Sequence, residues 1–153
     1  MFEYKSLSAH FLDSSLHELG IWPDLGDWVE PAYRSHLVSE CRRLRHVKLR
    51  EYNAEDLRIM IGQQIGLECL IPLALDQLET DPWVFGDVRP GDLLDFTTTI
   101  GADFWLPRSG LKLRMDAVVK KALDAVKFLD PEYLEWDTIQ GDIDRLKVWK
   151  PGC

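Results

Sequence analysis

The chain has 153 residues, enough to bury one hydrophobic core and within the usual size of a single domain. Its 46% hydrophobic content, with six Trp, six Phe and four Tyr, excludes an intrinsically disordered chain, in which few such residues accompany high net charge. A formal net charge of -8 argues against a protein whose main partner is nucleic acid and favours encounter with basic proteins.

The N-terminal stretch MFEYKSLSAHF lacks a positive region followed by an apolar one, and no apolar run reaches the roughly 20 residues that cross a bilayer. A cytosolic protein without a membrane partner is expected. Leu7, Phe11, Leu16 and Leu19 predict a first helix ended by Gly20, and IWPDLGDWVEP then reads as a loop with two Trp. Pro31 suits a first helical turn, after which Tyr33, Leu37, Cys41 and Leu44 recur at helical spacing to about residue 45. Asn53 is a good N-cap for a helix starting at Ala54, with Glu55 and Asp56 at its positive end.

Gly62 and Gly66, lacking a Cβ, let the chain reverse or two helices approach closely. Arg58 and Gln63 are expected to satisfy buried backbone groups at that hairpin. Beyond it Leu67, Leu70, Ile71, Ala74, Leu75 and Leu78 form an apolar stripe. Pro72 is tolerable if this helix begins near Glu68, because the first four helical N–H groups have no internal partner. TDPWVFGDVRPGD is a loop, broken by Pro82, Gly86, Pro90 and Gly91. Asp92 is expected to cap a short helix running to Ile100, weakened by the β-branched Thr97, Thr98 and Thr99.

Leu111, Met115, Val118, Val119, Ala122 and Val126 mark a clear amphipathic helix. Asp130 and Pro131 then open a last one, whose apolar face is Trp136, Ile139, Ile143 and Leu146 despite Gly141. No convincing strand pattern appears. An all-α, single compact domain of about six or seven helices is expected.

Charge is unevenly divided. Residues 42–50, RRLRHVKLR, hold five of the 18 basic residues and no acid, which leaves 13 basic against 26 acidic residues elsewhere. That run invites a nucleic-acid-binding regulator acting through Arg42, Arg43 and Arg45. Its place at a helix C-terminus, where cations suit the dipole, favours pairing with the acidic majority instead.

No GxSxG, HExxH, P-loop or dinucleotide fingerprint is present. His10 and His17 with Glu18 are the nearest approach to a metal set, and metal sites need three or four ligands. A metal-dependent phosphoesterase built from the carboxylates is the enzyme alternative, but solvated acids are far commoner than catalytic ones. Neither catalysis nor a cofactor is expected. Cys41, Cys69 and Cys153 are an odd count with no metal spacing, so they read as reduced thiols.

The segment from Glu55 to Asp95 contains DLRIMIGQ, LIPLAL and PGDLL in that order. With Gly26, Asp27, Trp28, Tyr33, Ser35, His36 and Leu37, the run Cys41 to Arg45, and Phe104 and Trp105, it resembles the immunity proteins of bacterial contact-dependent growth inhibition systems. The resemblance covers about residues 18–106, and the helices expected over 110–149 would complete one domain from 1 to 153. It implies an antidote that binds the C-terminal toxin domain of the matching effector as a 1:1 heterodimer. Many of those toxins are nucleases, often acting on tRNA, whose basic clefts suit an acidic inhibitor.

Aromatic anchors dominate interface energies and charged rims set orientation, so contact residues are expected where the two coincide. Asp81, Trp83, Asp87, Asp92, Asp95, Asp103 and Trp105 meet that description. Phe85 and Phe104 are at least as well suited to closing the core. A rival acidic patch comprises Asp130, Glu132, Glu135, Asp137, Asp142 and Asp144, and the sequence does not rank the two.

Overall fold

A computed structural model describes residues 9–21, 36–128 and 136–149. Eight α-helices lie among them: α1 (Ala9–Leu12), α2 (His36–Arg45), α3 (Ala54–Gly62), α4 (Leu67–Thr80), α5 (Asp92–Thr98), α6 (Ala102–Trp105), α7 (Ser109–Ala125) and α8 (Trp136–Lys147). No strand forms among the described residues beyond two isolated bridges, so the fold is all-α.

α3 is the hub, packed against α2, α4 and α5, while α7 covers α4 and carries α8. Its start is fixed as expected. Asn53 Oδ1 accepts from the Asp56 N–H at 2.9 Å and Asp56 Oδ2 accepts from the Asn53 N–H at 3.1 Å, a reciprocal capping box. Leu57, Met60 and Ile61 then point into the core. Gly62 permits close packing of α5, since a Cβ there would lie 2.9 Å from the Phe96 ring, and Gly66 takes the left-handed conformation that starts α4. α4 buries Leu70, Ile71, Ala74, Leu75 and Leu78. It begins at Leu67, so Pro72 falls inside the helix with no N–H to return to the Glu68 carbonyl, and the helix continues one bond short.

The first helix is much shorter than its apolar spacing suggests. Ser14 Oγ donates back to the His10 carbonyl at 2.8 Å and Ser15 Oγ accepts from the Glu18 N–H at 3.1 Å, local bonds that compete with the helical ladder. The chain instead pairs Ser15 with Lys48 and drives Leu16 into the core against Gly66. α2 buries Cys41 and Leu44, whereas Pro31, Tyr33 and the loop ahead of them lie outside the described residues, as do Asp130 and Pro131. The core is completed by Leu111, Met115, Val118, Val119 and Ala122 of α7 and by Ile139, Ile143 and Leu146 of α8.

Candidate functional site

The loop between α4 and α5 is fastened both to itself and to the body. Asp81 Oδ1 accepts from the Trp83 N–H at 3.0 Å, and the Gly91 N–H returns to the carbonyls of Trp83 and Val84 at 3.1 and 3.2 Å. These bonds close the loop on itself, with Phe85 bridging Pro90. Gly91 has φ +80 and is the N-cap of α5, which displaces Asp92 from its expected capping role.

Asp92 does something else. Its carboxylate, 2% exposed, turns back into the loop and accepts from the N–H groups of Gly86 at 2.8 Å, Val88 at 3.2 Å and Arg89 at 3.4 Å. The fourth amide, that of Asp87, donates at 3.0 Å to Glu55 Oε2 on α3. Arg58 bridges the two acceptors, with Nε 2.6 Å from Glu55 Oε2 and 3.8 Å from Asp92 Oδ2. The Arg58 guanidinium holds the Glu55 carboxyl below its ordinary value, against burial, with help from the Asp87 N–H. Arg58 therefore serves carboxylates rather than the backbone groups expected, and its guanidinium also lies 5.3 Å from the Phe96 ring centroid.

A second clamp reaches the loop from α8. Arg89 Nη2 donates to Asp95 Oδ2 at 2.8 Å and Arg89 also pairs with the buried Asp142. Arg145 Nη2 closes the set through Asp95 Oδ1 at 2.6 Å and pairs with Asp142 as well. Two arginines thus neutralise two carboxylates. Burial and the neighbouring Asp142 charge nonetheless push the Asp95 carboxyl above its ordinary value, opposed by Arg145 and Arg89.

The expected contact residues divide sharply between surface and interior. Asp81, Asp87 and Asp103 are exposed and, among the described residues, none of them enters an ion pair. Asp92 and Asp95 are committed to the two clamps. The tryptophans face inward: Trp83 is 6% exposed and donates to the Ala122 carbonyl of α7 at 3.0 Å. Trp105 is 0% exposed, donates to the Ile100 carbonyl at 3.2 Å and packs edge-on against Phe104 and Trp149. Both rings, with satisfied N–H groups, pack in the core and expose almost nothing of the aromatic surface expected at these two positions.

Sequence reasoning missed what stands outside. Phe85 is 56% exposed and Val88 63%, on either side of Asp87 at the loop tip. The available signal was the absence of any helical partner spacing for Phe85, which left its direction open. Of the rival acidic patch, Asp142 is buried in the clamp and Asp144 is exposed, accepting from Gln140 Nε2 at 3.1 Å. Asp130, Glu132 and Glu135, and the side chain of Asp137, lie outside the described residues.

Among the described residues, two members of the basic run pair with acids. Arg43 pairs with Glu40 at 2.8 Å and Asp56 at 3.5 Å, and Arg50 with Asp13 at 2.5 Å. Arg42, Arg43, Arg45 and His46 line a cavity of about 410 Å³. His17 packs against His46, with ring centroids 4.7 Å apart and the planes tilted by 46°. Among the described residues no three His, Cys, Asp or Glu side chains are grouped to hold a metal ion, and no helix is long and apolar enough to cross a membrane.

No curated protein and no solved structure matches this chain. A family profile does: that of the CDI immunity proteins matches residues 24–115, from ahead of α2 into α7, and takes in the whole braced loop with its supports from α3 and α5. α8, which supplies Asp142 and Arg145, lies beyond the match. With well over half of its length matched, this chain belongs to the family of CDI immunity proteins.

Proposed function

We propose that this protein protects its cell by binding the toxin domain of the cognate contact-dependent growth inhibition effector in a 1:1 complex in the cytosol. Family membership supports the inhibitor role, and exposed carboxylates that enter no ion pair among the described residues support the mode of binding. Asp81, Asp87 and Asp103 face solvent, and exposed surface acids steer and orient a basic protein. The toxin class that best matches such a surface is a nuclease, including one that cleaves tRNA, because its cleft must be basic to hold phosphates. The inhibitor acts by occupying or covering that cleft, without catalysis, cofactor or nucleic acid of its own.

Growth of cells expressing the toxin domain encoded beside this chain tests the proposal. Co-expression should restore growth, and the purified pair should run as a 1:1 complex whose association rate falls steeply with salt. Absence of both rescue and complex would overturn it.

A further inference from the structure

Among the described residues Leu106, Leu113, Phe128 and Val148 are also exposed, but Phe85 and Val88 are the two exposed large apolar side chains that share one loop, at whose tip they stand. Their loop is not loose. The four consecutive N–H groups from Gly86 to Arg89 are all taken up by carboxylates, three by Asp92 and one by Glu55, and Arg89 is clamped to α5 and α8. Space confirms the fit, since a Cβ on Gly86 would lie 2.6 and 2.8 Å from the Asp92 oxygens and 2.9 Å from Glu55 Oε2. A loop already ordered in the free protein avoids the entropy cost of ordering on association, so apolar atoms it displays convert efficiently into affinity.

Resting on the toxin-binding reading above, we infer that Phe85 and Val88 are the apolar anchors of the toxin interface, seated in an apolar depression of the toxin rimmed by Lys or Arg. The rim follows from charge. Asp87 lies between the two anchors and Asp81 at the base of the same loop, both exposed and, among the described residues, in no ion pair. A second copy of this chain would set those carboxylates against their own kind, which disfavours self-association through the tip. Asp92, which touches no partner, is a positioning residue: it holds the amides that aim the anchors.

Surface-immobilised cognate toxin domain is the probe. Phe85→Ala combined with Val88→Ala should quicken dissociation by about 30-fold or more with an unchanged melting temperature, as expected of central anchors. Asp87→Lys should instead slow association and flatten its salt dependence. Asp92→Asn, assayed well below its melting point, should raise amide hydrogen exchange over residues 86–89 and weaken binding together; faster exchange with unchanged affinity would overturn its positioning role.

If the wild-type protein binds and the folded double variant binds within about threefold, the anchor assignment alone is overturned. If the wild-type protein does not bind at all, the toxin-binding reading falls and this inference with it. A concentration-dependent dimer of the free protein that the double variant abolishes would reassign the tip to self-association.

Discussion

The indole N–H of Trp83 donates to the backbone carbonyl of Ala122, 3.0 Å away, and so pins the loop after α4 to the far end of α7. Gly91 closes the contact from the other side. A Cβ there would lie 2.6 Å from Trp83 Cε3, and its φ of +80 is one that L side chains rarely adopt. Trp83 anchors the loop inward so that Phe85, two residues on, can face outward.

Removing that indole donor should weaken the fold. Trp83→Phe orphans the Ala122 carbonyl and is expected to lower unfolding free energy by ~1–3 kcal/mol in urea titrations. Gly91→Ala, which meets both the ring and the strained backbone, should lose a similar ~1–3 kcal/mol from the conformation alone. An unchanged urea midpoint in both variants would show that the contact is not holding the loop.

The clamp between loop and α8 predicts an asymmetry between breaking and replacing a buried pair. Asp142→Ala leaves the Arg89 guanidinium half satisfied, since Asp95 remains at 2.8 Å, and should cost roughly 3 kcal/mol. Replacing both partners, with Arg89→Met and Asp142→Leu, should cost less than the single change because no uncompensated charge stays buried. Thermal unfolding of the three proteins checks the order, and a double variant worse than Asp142→Ala would contradict it.

Acid should loosen the same loop. The Arg58 guanidinium holds Glu55 below its ordinary value of 4.5, so its stabilising contribution is fully present above pH 4.5 and lost as pH falls through the lower folded value. Asp95 works the other way, because its raised value makes its contribution full below its ordinary 3.8 and lost as pH rises through the folded value. Urea midpoints measured from pH 6 down to 3 should therefore fall more steeply for the wild type than for Glu55→Gln. Parallel curves would mean that the Glu55 charge contributes nothing to the brace.

Thiol chemistry reports on the core. Burial pushes the Cys69 thiol up to about 12 and raises Cys41 as well, so neither offers a thiolate near neutrality. In a Cys153→Ser protein at pH 8, a disulfide reagent should react only as fast as the fold opens, then titrate both cysteines fully in urea. The linkage sign agrees: stability drawn from the neutral Cys69 is complete below its ordinary value of 9.0 and disappears as pH rises toward 12. Immediate reaction of the native protein would show that the two residues are accessible.

Much of the scaffold was legible from residue patterns. The Asn53 cap, the break from Gly62 to Gly66 and the buried faces of α4 and α7 follow from local rules of capping and helical period. Leu7 to Leu19 misled because apolar spacing was weighed without the paired serines at 14 and 15, whose hydroxyls bond locally and end α1 at Leu12. Asp92 misled in a related way: it stands at a helix start, yet Gly91 takes the cap and leaves the carboxylate to the loop.

By itself the sequence determined an all-α scaffold, family membership, and a loop rich in acids and aromatics between Asp81 and Asp92. Only the tertiary structure decided which of those side chains faces water. A helix has a period that assigns faces from spacing alone, but a loop has none. In this loop distant partners fix key positions, Ala122 drawing Trp83 inward across 39 positions and Glu55 capturing the Asp87 amide across 32. Trp83 and Trp105 pack in the core while Phe85 and Val88 stand at the exposed tip, an arrangement that no local period encodes.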